Sequence, residues 1–209
     1  MEHWLQSLQV AWQAMSPWEM AAVVFAIAYL LLAVRENILC WAFAFFSTAI
    51  YTVLFWDVSL LMESALNVYY MAMAVYGYHQ WTRGGGNGRG EQALAIRAMS
   101  FTQHSVVIGL IVVLTLVSGS LLGEYSSAAW PFVDSFTTWA SVITTYLVAR
   151  KYLENWLYWL VIDSVSVPLY IDRGLHLTAL LFIAYIIIAV FGYISWRRHF
   201  KAEQHRAGS

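Results

Sequence analysis

Charge is scarce in this chain. Lys, Arg, Asp and Glu together make up 11% of its 209 residues, against 61% hydrophobic. A soluble domain averages about a quarter charged and about half apolar, so the composition excludes an ordinary water-soluble globule. A basic excess is also absent. The net charge is −1, which removes the electrostatic case for nucleic acid. There is one cysteine, Cys40, so no intramolecular disulfide can form. The first residues, Met1-Glu2-His3, lack the positive stretch of a cleaved signal peptide. No Ser/His/Asp set, HExxH helix or Walker loop occurs, and the six histidines show no ligand spacing. Neither an enzyme, a metal centre, a cofactor site nor an ATP motor is expected. The glycine-rich stretch 84–90 follows no strand and reads as a linker rather than a phosphate loop.

What the chain has is long apolar runs. Segments 18–34, 38–55, 60–81, 102–122, 132–149, 156–171 and 175–196 can each span a bilayer, a crossing needing about 20 apolar residues. Pro17 and Pro131 stand at helix-opening positions. Trp4, Leu8, Trp12 and Met15 share one helical face, which predicts a short interfacial helix ahead of the first span. With seven crossings, ten of the eleven Lys and Arg residues fall on one side and Arg173 falls alone on the other. That bias puts the N-terminus outside and the C-terminus in the cytoplasm.

The chain also repeats itself. Glu36-Asn37-x-x-x-Trp41 returns 118 residues later as Glu154-Asn155-x-x-x-Trp159. Gly77-Tyr78-x-x-Trp81-x-Arg83 returns 115 residues later as Gly192-Tyr193-x-x-Trp196-x-Arg198, and the three-residue difference falls before the matching Asp57 and Asp172. A second copy in the same orientation must also begin outside, so one extra crossing is needed between the copies. The expected fold is an all-α integral membrane protein with seven helices, as two parallel three-helix repeats around a connector (3+1+3). The expected organisation is an N-terminal segment (1–17), a first repeat (18–82), a flexible cytoplasmic linker (83–101), a connector helix (102–130), a second repeat (131–198) and a tail (199–209). A membrane protein of two like halves most often moves something through the seam between them.

Acids at membrane depth are the sharpest functional signal. Asp163 lies midway along the sixth span. Placing an acid there costs roughly 2.5–3.5 kcal/mol on insertion scales, so it must face a cavity or a partner. Glu63 and Asn67 share a face of the third helix, and Asp134, Thr138, Ser141 and Thr145 lie on a polar stripe of the fifth. No Lys or Arg stands at matching depth, so a cation is the expected partner. The competing role is hydrogen bonding between helices. Trp41, Phe45, Trp139 and Trp159 lie on the same helices. They either stack on a cationic ring or pack as core and belt residues. Trp159 shares a face with Asp163 one turn away. Pro168, five residues beyond Asp163, removes a backbone bond and is expected to kink the sixth helix, as a gate or as a fixed bend.

Taken together, Arg35-Glu36-Asn37, Asn67-x-x-Tyr70, Gly77-Tyr78-x-x-Trp81, Trp130-Pro131-Phe132-x-Asp134-Ser135 and Arg150-Lys151-Tyr152-x-Glu154-Asn155-Trp156-x-x-Trp159 resemble the Pnu family of bacterial vitamin transporters. The resemblance covers about residues 18–198. It implies a fold like the sugar-transporting SWEET proteins, homotrimers, and uptake without energy coupling followed by phosphorylation of the cargo. It carries Asn155 into the candidate site. Asp163 sits where nicotinamide riboside members carry Asn, and the run around Asp134 is similar to the thiamine subgroup. Thiamine is therefore the expected cargo and nicotinamide riboside the alternative, in the bacterial cytoplasmic membrane. Proton coupling through Asp163 or Glu63 is a further alternative, and an intramembrane sensor or enzyme another.

Overall fold

The computed structural model describes residues 15–57, 61–83, 94–125 and 130–207. The interfacial helix expected around Trp4 to Trp12 and the glycine-rich stretch 84–90 lie outside them. Seven helices follow one another: α1 (Pro17–Val34), α2 (Cys40–Asp57), α3 (Leu61–Arg83), α4 (Phe101–Tyr125), α5 (Pro131–Ala149), α6 (Asn155–Asp172) and α7 (His176–Ala207). Ser16 caps α1 by accepting the Glu19 N–H, and Pro17 and Pro131 open α1 and α5, where a missing N–H costs nothing. Two segments depart from expectation. The tail continues α7 as helix through Ala207. Residues 94–99 are not a free linker: Arg97 exchanges backbone hydrogen bonds with Lys151 and Leu153, Glu154 accepts the Met99 N–H, and Leu94 and Ile96 are buried.

Four of the described helices, α1, α2, α4 and α7, are long and apolar enough to cross a membrane. Seven crossings were expected on length. α3, α5 and α6 have 23, 19 and 18 residues, but Glu63, Asn67, Asp134, Asn155 and Asp163 fall on them and dilute their apolar character.

α1 packs on α2 and α2 on α3, while α5 packs on α6 and α6 on α7. The two sets meet through α1 against α7 and α3 against α5, and α4 leans on α5. The first helix of each set therefore touches the third helix of the other. α4 leaves Val106, Ile108, Val113, Leu116 and Val117 about half exposed or more.

The matching turns share one register. Glu36 and Lys151 both take left-handed backbone conformations, with φ of 53° and 52°. Each follows a helix end closed by the same paired bonds. Glu36 N–H and Asn37 N–H bond the Ala33 and Leu32 carbonyls; Lys151 N–H and Tyr152 N–H bond those of Val148 and Leu147. This is the Schellman closure, at a position glycine usually fills. Glu36 thus corresponds to Lys151, and Trp41 to Trp156. Trp41 rests on Gly77 and Trp156 on Gly192. Every one of these pairs is 115 residues apart. The 118-residue match of Glu36-Asn37 with Glu154-Asn155 is a coincidence of two short motifs one helical turn out of step.

Equivalent residues also meet across the seam. The Trp81 indole N–H donates to the Val148 carbonyl (3.3 Å), and the Trp196 N–H to the Ala33 carbonyl (3.0 Å). Both acceptors lie in the last turn of a helix, and each carbonyl accepts the indole N–H alongside the N–H of the closing turn. The Trp81 and Trp196 rings are 6.0 Å apart. A pseudo-twofold axis therefore runs through this end of the bundle, where Cys40, Trp41, Trp81, Trp156 and Trp196 form one core. Lipid tails are as apolar as side chains, so close packing and hydrogen bonds of this kind hold helices together in a bilayer.

Candidate functional site

α6 carries the site. Trp159, Asp163, Ser166 and Tyr170 recur at spacings of four, three and four, which places them on one stripe. Asp163 is 3% exposed, and its Oδ1 has no hydrogen-bond partner among the described residues. It therefore faces the protein interior rather than lipid. At the equivalent position of the first half stands Thr48, whose hydroxyl is satisfied by the Ala44 carbonyl (2.8 Å). The matched position is an acid in one half and a hydroxyl in the other.

Two tyrosines lie near this acid. Tyr170 on α6 and Tyr185 on α7 lie within its electrostatic reach, and Tyr51 on α2 lies within that of Tyr185. Tyr70 on α3 neighbours Tyr170 and the Ser141 hydroxyl of α5. Phe182 links Tyr170 (4.9 Å between ring centroids) to Tyr185 (5.5 Å). Tyr70 and Tyr185 are equivalent residues, so the two halves each offer a phenol to the same region. Trp159 packs against the tryptophan core and against a second cluster of Ile111, Ala140 and Ile162, and closes the stripe one turn below Asp163. A carboxylate in such surroundings attracts a cation, phenols offer hydrogen bonds, and ring faces offer stacking.

Other expected site residues stand elsewhere. Asp134 is paired with Arg173 (2.7 and 2.8 Å) where α5 begins and α6 ends, which corrects the expectation that no cation matches its depth. Glu63 is exposed in the first turn of α3, where the helix dipole suits an acid, and Asn67 donates to its carbonyl (2.9 Å). Trp41 is 2% exposed and set edge-on to Trp81 (5.3 Å) in the core at the bundle end, with Phe45 packed beside it. The Trp139 indole N–H bonds Ser118 of α4 (3.0 Å), so Trp139 faces the connector. Thr138 is exposed, and the Thr145 hydroxyl bonds the Ser141 carbonyl (2.8 Å). Asn155 is fully buried at the start of α6 and donates to the Tyr152 carbonyl (2.6 Å). Pro168 is exposed, and α6 is continuous across it.

Of the expected residues, the structure thus brings Asp163, Trp159 and Ser141 to one region. Tyr51, Tyr70, Tyr170 and Tyr185 were not anticipated there. The signal available was the 115-residue register, which pairs Tyr70 with Tyr185.

A family model described as nicotinamide mononucleotide transporter matches residues 16–198. The chain is 28% identical to the nicotinamide riboside transporter PnuC of Escherichia coli, over 84% of this chain and 83% of that protein. It is 25% identical to the riboflavin/roseoflavin transporter RibM of Streptomyces davaonensis, over 85% and 83%. A crystal structure of the vitamin B3 transporter PnuC shares the fold, with a TM-score of 0.71 at 24% identity, covering 95% of this chain and 90% of that one.

Proposed function

The chain belongs to the nicotinamide mononucleotide transporter family, and we propose that it carries a nicotinamide riboside-like cation across the bacterial cytoplasmic membrane. The observation that carries this reading is Asp163, buried at mid-helix with an unpartnered oxygen among tyrosines. A pyridinium offers that acid its missing charge and the rings a face to stack on. Ribose hydroxyls find the phenols and Ser141.

The comparisons favour this cargo over the thiamine expected from the sequence. The surplus of acids that pointed to a cationic ring shrinks to one, since Asp134 has its own arginine and Glu63 stands at a helix mouth. Thiamine remains the second reading, because it too is a monocation and Asp163 stands where the resemblance places asparagine in nicotinamide riboside carriers. In both readings α1–α3 and α5–α7 are two parallel repeats joined by α4, with the Glu36–Lys151 end in the cytoplasm. Transport is a rocking of the repeats about the site, without energy coupling.

Proteoliposomes holding only this protein test the proposal. Labelled nicotinamide riboside is expected to equilibrate faster than thiamine or riboflavin and to stop at the external concentration. Faster thiamine entry would transfer the assignment to thiamine. Accumulation above the external level would overturn the uncoupled mechanism.

A further inference from the structure

The turn after α1 and the turn after α5 meet at the seam, and a charged pair joins them. Lys151 Nζ lies 2.7 Å from one Glu36 carboxylate oxygen and 4.6 Å from the centroid of the Trp81 ring. His199 of α7 lies 2.7 Å from the other Glu36 oxygen. The Lys151 side chain is only 7% exposed and that of Glu36 18%. Glu36 and Lys151 are equivalent residues, so the pseudo-twofold axis passes between them. Both hold the left-handed conformation at a position that glycine would fill without strain. Strain kept at two matched positions marks a feature retained for its side chains rather than for its backbone.

The chemistry suits a contact that must break. Two halves sealed by apolar surface alone would expose that surface to water on parting. A lysine and a glutamate that separate at a membrane face are each rehydrated, so the open form is not penalised in the same way. While closed, the pair is nearly enclosed, and loss of Glu36 strands the Lys151 charge out of water. The segment 94–99 holds the Lys151 turn on the second half through the Arg97 backbone bonds, so Lys151 moves with that half.

We propose that Glu36, Lys151 and Trp81 form a latch that fastens the two halves at the cytoplasmic end of the seam and must part before cargo can leave. The proposal rests on the rocking-halves reading. Its test needs no cargo, so the two fail separately. Cys40, the only cysteine, is fully buried in the adjoining core and lies within electrostatic reach of Lys151. Its modification by a charged methanethiosulfonate reagent, measured on the full chain in lipid nanodiscs, reports opening of this end.

Glu36→Gln and Lys151→Gln are each expected to raise the modification rate about tenfold, and the double variant no further, because either substitution alone releases the latch. Lys151→Arg, which keeps a cation for Glu36 and over the Trp81 ring, is expected to raise the rate less than Lys151→Gln does. That control separates latch release from general loosening of the fold. Rates unchanged in the single variants would overturn the proposal, as would effects that multiply in the double variant or a Lys151→Arg rate as fast as Lys151→Gln.

Discussion

Asp163 and Glu36 are both acids inside one helical bundle, and their partners separate their roles. Among the described residues Asp163 forms no ion pair, and the proposed function gives it the charge of a ligand. Glu36 has two basic neighbours, Lys151 and His199. Partial burial pushes the Glu36 carboxyl upward, but the hydrogen bonds from Lys151 and His199 outweigh it and hold the group below its ordinary 4.5. A carboxyl depressed in the folded state contributes stability that is complete above the unfolded value and lost as pH falls through the folded one. The Glu36 contribution to thermal melting of the purified protein is therefore expected not to vary with pH above 4.5. Below it, the unmodified protein should lose stability faster than Glu36→Gln, and parallel melting curves down the acid range would contradict this. Asp163 was legible in the sequence because a lone acid in an apolar run stands out. Asp134 was misread because its partner, Arg173, lies at the far end of another helix and is joined to it only by packing.

Helix limits were legible because long apolar runs and two opening prolines mark them. All seven helices begin within two residues of their expected starts. Register was harder. The short match of Glu36-Asn37-x-x-x-Trp41 with Glu154-Asn155-x-x-x-Trp159 outweighed the turn geometry, and the left-handed residues Glu36 and Lys151, with the Trp–Gly contacts, show that the repeat advances by a constant step. The same step explains why Gly77 and Gly192 are glycines. A Cβ at Gly192 would sit 2.6 Å from the Trp156 ring, and one at Gly77 would collide with Trp41, whereas at Gly109 of α4 nothing lies within 4 Å. Gly192→Ala should therefore cost about 1–3 kcal/mol, as overpacking does. Gly109→Ala should be neutral or stabilising by up to about 1 kcal/mol, since alanine is the better helix former. Melting temperatures of the two variants in one detergent check this, and an equal response at both sites would sink the argument.

At the scale of the whole molecule, two helix triplets with matched turns meet α1 to α7 and α3 to α5. Strong symmetry at one end gives way to asymmetry at the centre. The tryptophans at the seam obey the twofold relation, while Asp163 has only a threonine, Thr48, as its counterpart in the other half. Two halves and a seam could be read from the repeated glycine and tryptophan spacing alone. The tyrosine lining could not, because tyrosines abound in this chain and only the fold selects four of them. The account stands on one claim, that Asp163 receives the positive charge of a ring-shaped cargo. Reduction of nicotinamide riboside removes that charge with little change of shape, so the two forms isolate it. Titrated into purified protein and followed by tryptophan fluorescence, the oxidised cation should bind Asp163→Asn about tenfold more weakly than it binds the unmodified protein. The reduced, neutral form should bind both within about twofold. Equal weakening of both forms, or no weakening of either, would contradict the claim.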